Sequence, residues 1–80
     1  MITDEEIRAV VRKKLIECRQ EKGVTQTEVG KVVGKSKNAV ASWEQGLSMP
    51  DIAQLKRLAT YYQKTIAYMY GEENDDDKRT

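Results

Sequence analysis

Residues 25–46 read TQTEVGKVVGKSKNAVASWEQG. Thr25 stands three residues before Glu28, and Val24 and Val29 flank the pair. That is a capping box with a hydrophobic staple, so the spacing predicts a helix starting at Gln26. Val29, Val32 and Val33 give it an apolar face, and Gly34 is placed to stop it after Val33. Ser36 can cap a second helix over 37–45, with Val40 and Trp43 inward and Gly46 as its stop. The result is two short helices joined by a tight turn. The second helix opens on small, exposed, hydrogen-bonding side chains, which is how a chain presents a probe to the DNA major groove.

The outward set follows from the periodicity. With Val40 and Trp43 inward, Lys37, Asn38, Ala41 and Ser42 point away from the core. Lys37 can donate to guanine O6 and N7, and Asn38 can pair with adenine N6 and N7. Ser42 can meet either kind of base edge, and Ala41 can meet a thymine methyl. Gln26 and the backbone N–H groups opening the first of the two helices suit a phosphate, because a helix N-terminus attracts anions. Lys31, Lys35 and Ser36 are further candidates for the phosphate backbone. Contacts of that kind set register without reading sequence.

The surrounding chain adds three more helices. Thr3 and Glu6 repeat the capping box, with Ile2 and Ile7 as the staple, and open a helix over 4–21. Its inner face is Ile7, Val10, Val11, Leu15 and Cys18, and Gly23 stops it. A looser box at Asp51 and Gln54 follows Pro50 and opens a helix over 51–62, with Ile52, Leu55, Leu58, Ala59 and Tyr62 inward. Thr65 caps a short last helix over 66–70, ended by Gly71. No segment has a period of two, so the fold class is all-α: five helices in a compact bundle over 1–71. Residues 72–80, EENDDDKRT, form an acidic tail expected to be solvated and disordered.

Composition narrows the function. Eighty residues allow one small domain. There is no His, and Cys18 stands alone. A disulfide within the chain and a thiolate metal cluster are therefore excluded, and neither a cofactor nor a metal is expected. One unpaired thiol suits a reducing cytoplasm, and the acidic N-terminus does not read as a secretion signal. The apolar runs are too short to span a membrane. The formal charge is +1, but residues 1–71 hold 12 Lys/Arg against 8 Asp/Glu, a net of +4. A mildly basic body fits a nucleic-acid partner.

This set resembles the phage-repressor-like family, also called the Cro or xenobiotic-response-element family. The likeness covers about residues 15–71. It rests on Arg19, Gly23, Thr25-Gln26 with Glu28, Gly34-Lys35-Ser36, Val40, and Trp43-Glu44-Gln45-Gly46. Pro50-Asp51, the Leu55/Leu58-Ala59 pair, Thr65-Ile66 and Met69-Tyr70 complete it. The resemblance implies a lambda-repressor-like DNA-binding domain whose reading unit is 25–46. It implies a transcriptional regulator, most often a repressor, that binds double-stranded DNA at an inverted repeat as a homodimer through the third helix. It also pairs Arg19 with Glu44 as a structural ion pair. Two features depart from the pattern. Gly30 replaces the usual alanine, and the loop Leu47-Ser48-Met49 lacks the basic residue often found there.

Two further expectations concern partners. Tyr61, Tyr68, Met69 and Tyr70 cluster late in the chain, and aromatics and Met are enriched at interfaces, so they are candidates for the dimer surface. The alternative function is a protein-interaction module of the same fold, an antitoxin-like or coactivator-like binder of a partner protein. An enzyme is not expected: no nucleophile–base pair and no phosphate-cradling glycine loop stand in the sequence.

Overall fold

The computed structural model describes residues 3–72. Five helices account for the regular structure among them: α1 (Asp4–Lys22), α2 (Gln26–Val33), α3 (Lys37–Gln45), α4 (Ile52–Tyr61) and α5 (Ile66–Met69). Each begins at a side chain that accepts a backbone N–H: Thr3, Thr25, Ser36, Asp51 and Thr65. The boxes at Thr3/Glu6, Thr25/Glu28 and Asp51/Gln54 are reciprocal, so each satisfies two backbone donors that a helix start leaves open.

Three helices end on a glycine in the left-handed region. At Gly34, φ is +70°, and its N–H returns to the carbonyls of Gly30 and Lys31. A side chain is strained in that conformation, so Gly34 fixes the sharp turn from α2 into α3. Helices α4 and α5 end on Tyr62 and Tyr70 instead. They are therefore shorter than the 51–62 and 66–70 expected from sequence.

Gly30 has a different role. A Cβ built there would lie 2.5 Å from the carbonyl oxygen of Lys35 and 3.2 Å from that of Ser36. The missing side chain lets the turn before α3 press directly on α2. The departure from the usual alanine is thus an adjustment of how closely the two helices sit.

The core lies where α1, α3 and α4 converge with α2 and α5. Val11, Val40, Leu58 and Met69 are its largest fully buried side chains, with Trp43 and Leu15 beside them. Cys18 is buried in the same cluster and behaves as a small apolar side chain. Burial pushes its thiol up to about 11.

Three sequence expectations are corrected here. Ile52, expected inward from its periodicity, is 63% exposed. It shares the spacing of Leu55 and Leu58, yet Asp51, Ile52 and Ala53 at the start of α4 are all exposed, and the buried face begins at Leu55. Tyr68 and Met69, candidates for a dimer surface, are 5% and 0% exposed. They fill the protein's own core and are closed to a second copy. Val32 and Val33 are half-buried rather than enclosed. The expected staple partner Ile2 and tail residues 73–80 lie outside the described residues. Glu72 is exposed and donates its N–H to the Ala67 carbonyl at 2.9 Å, closing the end of α5.

Candidate nucleic-acid interface

Helix α3 packs against both α1 and α2 along the Val40–Trp43 face. This leaves Lys37 and Asn38 exposed at its first turn, with Ala41 and Ser42 half-buried one turn later. Those four side chains lie on one side of the helix at i, i+1, i+4 and i+5. No acidic residue is among them. The Ser36 cap uses its hydroxyl on the N–H of Ala39 at 3.4 Å, a long bond that marks the exposed start of the helix.

The pose of α3 is set by one carboxylate. Arg19 Nε donates to Glu44 Oε2 at 2.7 Å, and Arg19 Nη2 donates to Glu44 Oε1 at 3.0 Å. This two-pronged geometry orients as well as attracts. Arg19 Nη1 also donates to the Val24 carbonyl at 3.1 Å, tying in the α1–α2 turn. The pair is only partly open to solvent, with side-chain exposures of 20% for Arg19 and 9% for Glu44. The Glu44 carboxylate holds the Arg19 guanidinium more firmly protonated than usual.

Gln26 joins the same carboxylate. Its Nε2 donates to Glu44 Oε1 at 3.1 Å. An amide nitrogen has two protons, and this bond uses one of them. Among the other phosphate candidates, Lys31, Lys35 and Ser36 are all exposed. Lys35 and Ser36 occupy the turn between α2 and α3, next to the start of the outward face of α3.

Ser42 has a partner that the sequence did not indicate. Its hydroxyl oxygen lies 2.8 Å from that of Ser48, in the loop after α3. The other unforeseen contacts cluster around tyrosines: Lys14 Nζ and Lys64 Nζ lie 4.4 and 4.6 Å from the centre of the Tyr68 ring, and Lys22 Nζ lies 4.7 Å from that of Tyr61. Those lysines are on α1 and after α4, off the outward face of α3.

Residues 15–69 match the helix-turn-helix family. The chain belongs to the helix-turn-helix family. Members of this phage-repressor-like family are DNA-binding regulators. The matched residues of this helix-turn-helix protein include all of α2, α3, α4 and α5. The fold is also that of the P22 c2 repressor, whose crystal structure was determined in complex with a synthetic operator in the presence of thallium ions. The two superimpose with a TM-score of 0.72 at 24% identity, over 79% of this chain and 96% of that one. At that identity the likeness is one of fold. No curated protein sequence matches the chain. None of the described helices of this helix-turn-helix protein is long and apolar enough to cross a membrane.

Proposed function

We propose that this protein is a sequence-specific repressor that binds an inverted-repeat operator as a homodimer, with α3 of each copy in the major groove. The observation that carries the reading is the first turn of α3. It is exposed, polar and free of acid, while the Arg19–Glu44–Gln26 network fixes the helix behind it. A rigid scaffold holding an exposed, donor-rich helix start is what base reading requires. The P22 c2 repressor, crystallised on a synthetic operator, supports the same reading by analogy of fold.

The assigned roles follow the geometry. Lys37 and Asn38 read bases from the first turn, with Ala41 and Ser42 behind them. Gln26, Lys31, Lys35 and Ser36 hold phosphates, and Arg19 with Glu44 keeps α3 in place. A homodimer needs an apolar meeting surface. With Tyr68 and Met69 enclosed and the other two candidates, Tyr61 and Tyr70, half-buried against the core, Leu47 and Ile52, 76% and 63% exposed, are the exposed large hydrophobic side chains among the described residues. Both lie in the segment that follows α3, and they are the assigned meeting surface.

The same two residues favour the second reading, a module that docks a different protein through an apolar surface. Selection of bound duplexes from a random library at near-physiological salt separates the two. Enrichment of an inverted repeat with half-sites about one helical turn apart is expected of the repressor. An unenriched pool contradicts it and favours the interaction module.

A further inference from the structure

A side-chain contact joins the loop between α3 and α4 to the outward face of α3: the Ser42 and Ser48 hydroxyls lie 2.8 Å apart. We infer that Ser48 is a positioning residue for base reading: it aims the Ser42 hydroxyl and so sets the preference at the base pair that Ser42 meets. The inference rests on the DNA-reading role proposed above and extends it to a residue outside the two paired helices.

The argument begins with what a serine does alone on a helix. Its hydroxyl rotates, and in a helix interior it can turn back to bond the carbonyl four residues earlier. A hydroxyl so engaged does not aim outward. Ser42 instead faces Ser48, which lies six residues further along the chain in the loop, and the short oxygen–oxygen distance fixes its rotamer.

Proton counting then gives the pair its use. Two hydroxyls carry two protons, and the bond between them occupies one. If Ser48 donates, Ser42 keeps a proton for an acceptor such as guanine O6 or thymine O4. If Ser42 donates, it offers lone pairs to cytosine N4 or adenine N6. Either order holds the Ser42 oxygen in one place, so the preference comes from where the hydroxyl is held and which base edge lies within its reach, not from the direction of its proton. Ser48 needs no contact with DNA for this. Such a role also explains how the loop 47–49, which lacks a basic residue, contributes to reading.

The test compares the unaltered protein with Ser48→Ala, Ser48→Thr, Ser42→Ala and the Ser42→Ala/Ser48→Ala double variant. Each is put through selection from a random duplex library. Both serines are at the surface or half-buried, and circular dichroism of each variant checks that the helices are kept. Ser48→Ala is expected to reduce the preference at one base pair of each half-site by about two- to tenfold, the equivalent of one net hydrogen bond. The position read by Asn38 keeps its preference, and Ser48→Thr restores the Ser42 position. In the Ser42→Ala background, removing Ser48 is expected to change nothing further.

An unaltered profile in Ser48→Ala overturns the inference while leaving the DNA-reading role intact. So does an equal loss at every position, or an added loss in the double variant, since either makes Ser48 a DNA contact in its own right. An unenriched pool with the unaltered protein overturns the DNA-reading role itself, and this inference with it.

Discussion

The side-chain amide of Gln26 donates to Glu44 Oε1 at 3.1 Å, and the same oxygen accepts Arg19 Nη2 at 3.0 Å. The first residue of α2 and the last turn of α3 are therefore fixed to one carboxylate, which is itself anchored to α1. Replacing Glu44 with Ala leaves a partly buried guanidinium without its partner. The expected loss is about 2 kcal/mol, below the range for a fully buried pair because Arg19 is partly solvated. Arg19→Ala should cost a similar amount, and the double variant less than the sum of the two. Urea unfolding measures all three; additive losses would mean that the pair does not act as a unit.

Gly30→Ala tests how closely α3 sits on α2. In most helix interiors this change stabilises by roughly 0.5–1 kcal/mol. Here the new methyl meets the Lys35 carbonyl at 2.5 Å, and a backbone oxygen cannot turn aside. Displacing the turn should cost about 1–3 kcal/mol, leaving a net loss. A rise in thermal midpoint would show that the turn yields freely.

Alkaline pH should destabilise the protein. Burial raises the Cys18 thiol from its ordinary 9.0 to about 11 and also raises the Tyr62 phenol. Both groups are neutral when folded. The thiol's contribution is complete below its unfolded-state value, near 9, and is lost as pH rises through about 11, while the phenol's is lost at still higher pH. Stability should be flat near neutrality and then fall with a slope of at most ~1.4 kcal/mol per pH unit for each group. Urea midpoints across that range read the effect. In Cys18→Ala the fall should be shallower, and an unchanged slope would assign it elsewhere. The same burial predicts that native Cys18 resists a thiol reagent until the chain unfolds.

Base and phosphate roles separate by their salt and sequence signatures. Asn38→Ala should lose about 1–3 kcal/mol of discrimination at one base pair of each half-site and little at the others. Lys35→Ala should weaken all duplexes alike and reduce the salt slope by about one. Fluorescence anisotropy on matched and single-mismatch duplexes, at several salt concentrations, measures both. A sequence-dependent loss in Lys35→Ala would reverse its assignment.

How much of this could be read from sequence depended on whether the cause was local. The bounds of α2 and α3 match the expectation to the residue, because a hydroxyl cap and a glycine stop mark both ends of each. The ends of α4 and α5 were less marked, since tyrosines rather than glycines close them. The outward face of α3 followed from Val40 and Trp43. What was missed is tertiary. Nothing near Ser42 in a linear reading points to Ser48, and Gln26 meets Glu44 across 18 positions. Ile52 has core periodicity but no helix lies over it, and Tyr68 and Met69 have interface composition but fill the core. Periodicity gives a direction; it does not say what covers that direction.

The most direct measurement of the central claim, that α3 reads the major groove, is methylation interference on a selected operator. Methyl groups on guanine N7 stand in the major groove, and those on adenine N3 stand in the minor groove. The account predicts that N7 methylation at guanines in both half-sites blocks binding while N3 methylation there does not. Interference confined to adenine N3, or absent from both, would contradict it.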